Sequence, residues 1–316
     1  MARIMKRKKI SILAPTFNEE DNVGEFYKRV NSAIHDLRKS YDFEIIFIDN
    51  ASTDDTVKII KKIAKTDKKL LLIENYRNFG HIRSPYWGVM QARGDSVITM
   101  ASDLQDPPEI IPELIQKWEE GAKIVCAVKP VSDGNKLMHF LRRNYYILLN
   151  KLSDITLTND YTGFGLIDKD VVNQLRLIND PYPYFRGLIH EFGYPISTVK
   201  FTQPRRLKGI SKNNFYTLYD MAMLGLVSHS ILPIRLASFL GFSLGILSIF
   251  ISLGILIFKM IWWDSFATGQ ASILVLILML FGILLVFVGM LGEYIGSIHT
   301  YVKNRPIVVE KDRTNF

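Results

Sequence analysis

The stretch Val97–Pro108, VITMASDLQDPP, sets two carboxylates and an amide, Asp103, Asp106 and Gln105, between an apolar run and a Pro-Pro stop. Val97–Ala101 reads as a buried strand. Its chain cannot stay buried through the polar turn, so the acidic groups must project from the strand's carboxyl end. In open α/β sheets that end is where ligands bind. Two acids at such a point suit a divalent cation that neutralises phosphates. A strand-to-helix turn with Asp as a helix cap uses the same residue types, and the turn alone does not separate the two readings.

The elements that must hold this turn alternate along the chain. Ile10–Ala14 is a short apolar run read as the first strand, and Val23, Phe26, Val30, Ile34 and Leu37 have helical spacing over Asp21–Leu37. Phe43–Ile48 is a second strand, ended by Asp49-Asn50-Ala51-Ser52. Ser52 with Asp55 resembles a capping box for a helix carrying Val57, Ile60 and Ile63. Leu70–Ile73 is a third strand, and a helix through Tyr86–Ala92 has Gly94 as its expected C-cap. Val97–Ala101 and Ile124–Val128 are the fourth and fifth strands. This βαβαβ rhythm predicts an α/β fold with a mainly parallel sheet and helices on both faces.

The loops after the strands decide what such a sheet binds. No G-x-G-x-x-G follows the first strand, whose loop is Pro15-Thr16-Phe17-Asn18-Glu19-Glu20, and no P-loop occurs anywhere in the chain. Those acidic loops repel bare phosphates, so a diphosphate here needs a bridging metal. They suit the N–H groups of a base and the hydroxyls of ribose and sugar. A nucleotide-sugar diphosphate with Mg²⁺ or Mn²⁺ meets both demands.

At 316 residues the chain can bury a sizeable core, and its character changes near residue 230. Neither Leu236–Phe258 nor Ser265–Gly292 contains a charged residue, and each reaches the ~20 apolar residues needed to cross a bilayer. A buried soluble helix is the alternative for each run. Two in succession, with only Lys259 and Asp264 between them, favour membrane spans. Neither is N-terminal, so neither reads as a signal peptide. Arg205, Arg206, Lys208, Lys212 and Arg235 precede the first span, and Lys303 and Arg305 follow the second. The positive-inside tendency then puts both ends in the cytoplasm, with Trp262 and Trp263 as interface anchors on the other side. The expected division is a cytoplasmic domain over 1–212, an amphipathic juxtamembrane helix over 213–234, spans at about 236–260 and 270–294 within 235–302, and a cytoplasmic tail over 303–316. Within the juxtamembrane segment Phe215, Leu218, Tyr219, Ala222 and Leu226 form one stripe, which suits either a core or an interfacial helix. The single Cys126 cannot form an internal disulfide and agrees with a reducing compartment. A net charge of +8 raises nucleic acid as a partner, but no zinc spacing, recognition-helix pattern or aromatic platform supports it. Basic residues beside membrane spans meet anionic lipid headgroups.

Four segments in order, PTFNEE (15–20), FIDNASTD (47–54), RNFGH (77–81) and SDLQDPPE (102–109), resemble family 2 glycosyltransferases of the GT-A fold. With the membrane hairpin, the overall plan is similar to the polyprenyl-phosphate glycosyltransferases, which include dolichol-phosphate mannose synthase and the bacterial bactoprenol glucosyltransferases. The resemblance implies that Pro15, Phe17 and Glu19 contact the nucleoside and that Asp49 and Asn50 read the base or ribose. It implies that Asp103 is the metal-ligating carboxylate of the D-x-D element, with Gln105 close to the sugar or acceptor phosphate. The first Asp of D-x-D falls on Ala101. Either Asp106 or the diphosphate oxygens complete the metal shell, or metal dependence is weaker. Asp103, Gln105 and Asp106 are the expected catalytic group, and the resemblance also implies inversion at the sugar carbon and a homo-oligomer, with a tetramer as one form.

A lipid monophosphate acceptor fits the scarcity of histidine beside the acidic loops, where only His81 is near. A phosphate monoester, with a second pKa of about 6, is already anionic at neutral pH. Its oxygen can attack the anomeric carbon without a general base, which leaves alignment and charge neutralisation as the catalytic tasks. His81 can serve as a base or as a structural part of RNFGH. The acceptor phosphate needs cations near the membrane. Arg143, from the pair Arg142-Arg143, and Arg206, Ser211 and Lys212, from the run 205–212, are the candidates; a lipid-facing basic patch is the alternative. Asp160–Phe164 resembles a family segment near the acceptor, or is a glycine turn before a strand over Phe164–Ile167. Gly241-x-x-x-Gly245 and Gly292-x-x-x-Gly296 permit close helix approach, within the hairpin or between protomers. The expected activity is transfer of a hexose, glucose from UDP-glucose, to undecaprenyl phosphate at the inner membrane's cytoplasmic face. The alternatives are the same reaction with GDP-mannose or an amino-arabinose nucleotide, and a catalytically silent sugar-nucleotide domain that recruits partners to the membrane.

Overall fold

The computed structural model describes residues 7–129, 157–178, 180–204, 270–303 and 305–316, with scattered helical positions between 223 and 261. The first 128 residues build β1 (Lys9–Thr16), α1 (Val23–Ala33), β2 (Asp42–Asp49), α2 (Thr56–Thr66), β3 (Leu70–Asn75), α3 (Gly80–Gln91), β4 (Ser96–Thr99), α4 (Ile111–Glu119) and β5 (Ile124–Val128). After them come β6 (Tyr161–Asp168), α5 (Lys169–Leu177), α6 (Phe185–Glu191), β7 (Ile196–Lys200), the apolar helix α7 (Gln270–Val302) and β8 (Glu310–Thr314).

The strands form one eight-stranded sheet in the order β7-β5-β6-β4-β1-β2-β3-β8. Neighbours among β4, β1, β2 and β3 pair in parallel, as do β5 and β7, whereas β6 and β8 run antiparallel to their neighbours. Side chains alternate across a strand, so β1 sends Ile10, Ile12 and Ala14 into the core with Phe26 and Val30 of α1, and Leu13 into the core with Tyr86 and Val89 of α3. Burial on both faces is why these strands read as continuous apolar runs.

Several local expectations are corrected. The first helix stops at Ala33 and a separate short 3₁₀ turn covers Asp36–Lys39. Ser52 and Asp55 do not form a capping box, because α2 starts at Thr56 and Asp55 makes no side-chain cap. Ser52 instead donates to Asp49, and the Asp55 N–H is taken by Glu20 at 2.8 Å. Gly94 is not a C-cap; α3 ends with Ala92 turning extended. A Cβ at Gly94 would lie 2.6 Å from the Ser96 carbonyl oxygen and 2.7 Å from the Ser11 nitrogen, so glycine there admits the neighbouring strand. Gly163 sits inside β6 at φ +102°, rather than in a turn before it.

The segment 303–316 is not a loose extension. Its strand β8 pairs with β3, and Asn315 Nδ2 donates to the carbonyls of Ala64 and Leu70, each at 2.9 Å. Phe316 receives the guanidinium groups of Arg93 and Arg313 at 5.2 and 4.9 Å from its ring centre.

Among the described residues one helical segment, Leu280–Val302, is long and apolar enough to cross a membrane. The span expected at 236–260 lies mostly outside the described residues; its described positions, such as Phe239, Ile246 and Phe250, are helical and exposed. The juxtamembrane segment 213–234 lies outside them almost entirely.

Candidate active site

β1, β2 and β4 run parallel, so the acidic loops that follow them gather at one edge of the sheet. Each loop holds a non-glycine residue in the left-handed region: Asn18 at φ +54°, Ala51 at +64° and Leu104 at +64°. Such conformations cost on the order of 1–3 kcal/mol and cluster where a site over-determines its backbone.

The first two loops are stitched together. The Asn18 N–H donates to Ser52 Oγ at 2.9 Å, the Thr53 N–H returns to Asn18 Oδ1 at 2.8 Å, and the Glu19 N–H donates to Thr56 Oγ1 at 2.8 Å. The Glu19 carboxylate receives Asn22 Nδ2 at 2.6 Å. Pro15 and Phe17 are half-buried beside it. Asp49 is buried at the end of β2, and burial pushes its pKa up, against the lowering effect of the Ser52 hydroxyl and N–H that it accepts at 2.5 and 2.9 Å.

Asn50 bonds to the turn that precedes α3. Its Oδ1 accepts the Phe79 N–H at 2.8 Å, and its Nδ2 donates to Asn78 Oδ1 at 2.9 Å and the Gly80 carbonyl at 3.1 Å. The side chain organises the RNFGH turn that opens α3.

In the turn after β4, exposure alternates: Asp103 and Gln105 are partly exposed, and Leu104 and Asp106 are buried. Asp103 Oδ1 accepts the Gln105 N–H at 3.1 Å, and Ser102 Oγ donates to the Pro15 carbonyl at 2.9 Å, tying this turn to the first loop. Asp106 Oδ2 accepts the Ala101 N–H at 2.7 Å. The residue replacing the first acid of D-x-D therefore contributes its backbone to the turn. Burial pushes the Asp106 pKa up to about 7; the Ala101 N–H and Arg186 oppose the rise and the charge of Asp103 adds to it.

Among the described residues no group of three or more Asp, Glu, His or Cys is gathered to hold a metal. Asp103 with one neighbouring carboxylate fits a Mg²⁺-like ion, which is bound through one or two carboxylates and completes its shell with substrate phosphates and water.

A cavity of about 300 Å³ opens beside this turn. Pro15, Ala101 and Asp106 form its sheet side, Thr162 and Gly163 come from β6, and Tyr184 and Arg186 come from the loop before α6 and its first turn. His81, at the start of α3, also lines it and is exposed. Thr162 Oγ1 is buried without a hydrogen-bond partner, an arrangement that suits a bound polar ligand. Arg186 and Tyr184 are additions to the expected site, and Thr162 comes from the segment Asp160–Phe164 read as near the acceptor. The run Pro181-Tyr182-Pro183-Tyr184-Phe185-Arg186 was the available signal, an aromatic segment with one cation and no helical or strand period. Arg143, Arg206, Ser211 and Lys212, the expected acceptor-phosphate residues, lie outside the described residues.

Residues 11–176 match the family described as glycosyl transferase family 2. The chain belongs to that family. Its sheet, with acidic loops at the carboxyl edge, is the GT-A-like α/β fold of a sugar-transferring enzyme. The chain is 35% identical over 304 residues to the SfII prophage-derived bactoprenol glucosyl transferase of Shigella flexneri, covering 96% of this chain and 97% of that one. It is 34% identical, with 96% and 98% covered, to the prophage bactoprenol glucosyl transferase homolog of Escherichia coli strain K12. An uncharacterized glycosyltransferase of Bacillus subtilis, YkcC, is 32% identical over 306 residues, with 95% and 92% covered.

Proposed function

We propose that this glycosyltransferase moves glucose from UDP-glucose to a polyprenyl phosphate at the cytoplasmic face of the membrane, inverting the sugar carbon and releasing UDP. The observation that carries the reading is the cavity at the end of β4, where a carboxylate, a guanidinium and an unpaired hydroxyl, Asp106, Arg186 and Thr162, line one space. The names of the bactoprenol glucosyl transferase relatives support the choice of sugar and lipid.

On the donor side, Pro15, Phe17, Glu19 and Asp49 hold the nucleoside, and Asn50 acts through the turn it shapes. Asp103 and Gln105 face the diphosphate and sugar. A Mg²⁺ or Mn²⁺ ion at Asp103 supplies charge neutralisation for the diphosphate when bound. Asp106 and Thr162 take sugar hydroxyls, and Arg186, joined by Arg143, Arg206, Ser211 and Lys212, holds the acceptor phosphate. An oxygen of that phosphate forms the new bond to the anomeric carbon. The bond from that carbon to the diphosphate breaks, and UDP leaves with the electron pair. The attacking oxygen carries no proton at neutral pH, so no base is needed.

Topology supports the membrane arrangement. β7 and β8 belong to one sheet, yet α7 lies between them in the chain. A chain that leaves and rejoins the same sheet crosses a bilayer an even number of times. The apolar run at 236–260 is the natural second crossing, which puts both ends on one side. Self-association is part of the proposal, with Gly292 and Gly296 exposed one turn apart on α7.

The test is transfer by the full-length protein in phospholipid vesicles containing undecaprenyl phosphate. Labelled UDP-glucose is expected to yield organic-extractable label, with UDP as coproduct. Label from GDP-mannose alone rejects the donor assignment, and no label from any donor rejects the enzymatic reading in favour of a silent recruiter.

A further inference from the structure

Asp180 is 5% exposed. A buried carboxylate is stable only when its oxygens are hydrogen-bonded. Asp180 Oδ1 accepts the Tyr182 N–H at 2.8 Å, which turns the chain into the Pro181–Arg186 segment. Its Oδ2 accepts the phenol of Tyr301 at 2.8 Å, from a residue 121 positions away. Tyr301 belongs to the last turn of α7, at the end of the span-length segment Leu280–Val302. The loop it grips supplies Pro183, Tyr184, Phe185 and Arg186 to the cavity. One carboxylate therefore joins the end of the apolar helix to the base of the cavity wall.

The link is braced from both sides. Beyond Tyr301 the chain re-enters the sheet as β8, where Trp87 of α3 donates to Glu310. Within the domain, Tyr86 of the same helix donates to the Leu175 carbonyl at 3.0 Å, close to the start of the loop. Turning α7 by one residue, ~100° at 3.6 residues per turn, would carry the phenol away from Asp180. The tyrosine also has the chemistry of an interfacial anchor, an apolar ring with one polar tip.

We infer that Tyr301 is a positioning residue: through Asp180 it fixes the Tyr184–Arg186 wall relative to the bilayer, so that a membrane-borne phosphate arrives in register with the cavity. The inference rests on the proposed lipid-phosphate acceptor and adds a residue that touches neither substrate. It affects the acceptor selectively, because the donor loops after β1, β2 and β4 are hydrogen-bonded to one another whereas the Tyr184–Arg186 wall is tied to α7 through Asp180.

Tyr301→Phe, which removes one hydroxyl and keeps the ring, is the test in full-length protein in vesicles. The apparent KM for undecaprenyl phosphate should rise about tenfold, the scale of a lost hydrogen bond to a charged group. The KM for UDP-glucose should stay within about twofold, since uniform loss of binding at one substrate leaves the other unchanged. Combining it with Asp180→Asn should add little to the single changes, as expected for two groups sharing one interaction. A general loss of structure would instead lower the active fraction without splitting the two KM values. Unchanged lipid KM, an equal rise in both KM values, or independent multiplication of the two substitutions overturns the inference alone. Absence of glucose transfer by the unaltered protein overturns the proposed function and the inference with it.

Discussion

The two sides of the candidate site are built in opposite ways. The donor side is polar and local: three loops at the ends of β1, β2 and β4, each with an acid, bonded to one another through Asn18, Ser52, Thr53 and Ser102. The cavity side is aromatic and long-range, made where β6 runs antiparallel beside β4 and where the Pro181–Arg186 segment packs against Arg83 and Tyr86 of α3 and is tied through Asp180 to the end of α7. In the proposed function the preorganised polar edge serves a nucleotide, whose recognition needs fixed donors and acceptors, and the wall attached to the apolar helix serves a substrate that arrives through the membrane. On that reading, changes on the donor side leave the apolar helix in place, and changes at the Asp180 link do not.

Asp103→Ala is the strongest attempt to break this contrast. It should lower kcat by about 1000-fold, the upper scale for removing one electrostatic stabiliser, and abolish any Mg²⁺-dependent rise in the melting temperature with UDP. Retention of both by the variant would remove Asp103 from the donor side. Arg186→Ala should lower lipid-linked product formation by about 100-fold on the same scale while leaving UDP binding by calorimetry unchanged. Weakened UDP binding would show that the two sides are not separable at Arg186.

Asp106 lies between them and gives the contrast a pH signature. Its folded-state pKa is raised from an ordinary 3.8 to about 7 by burial. Between those values the unfolded chain has released the proton and the folded chain retains it. Stability of the ligand-free protein therefore falls as pH rises through that window, at most about 1.4 kcal/mol per pH unit. Asp106→Asn keeps an oxygen for the Ala101 N–H and cannot titrate, so its melting temperature should decline less from pH 4 to pH 7. A parallel decline in the two proteins would place Asp106 in a wetter setting than its burial indicates. The smallest effect is expected at Asn315→Ala, which removes the amide bonding the Ala64 and Leu70 carbonyls. About 1–2 kcal/mol should be lost from chemical denaturation, with little change in transfer. A large loss of transfer would mean that β8 matters to the site beyond closing the sheet edge.

The donor side was readable from sequence because its signals are short. An apolar run of four to eight residues, then an acid, then a turn residue is enough to place Asp49 and Asp103 at strand ends. The errors there were errors of partner. Ser52 and Asp55 have the spacing of a capping box, but the neighbouring loop offered better partners and α2 began later. Gly94 has the composition of a C-cap, but contact with β1 is what requires glycine. A bond that no local pattern announced was added at Asn50, whose amide reaches Asn78, 28 residues away.

Sequence by itself determined the alternation of strands and helices, the acidic edge and the apolar C-terminal runs, because each depends on periodicity or on neighbours within a few residues. Tertiary structure decided that β6 runs backwards, that Asp106 and Arg186 share a cavity, that the last residues return as β8, and that Tyr301 meets Asp180. Those facts depend on contacts between residues from 66 positions apart, Thr99 and Gly165, to 251, Lys61 and Asp312. Such contacts leave no local pattern, since any buried carboxylate or edge strand can be satisfied by whichever donor the fold brings to it.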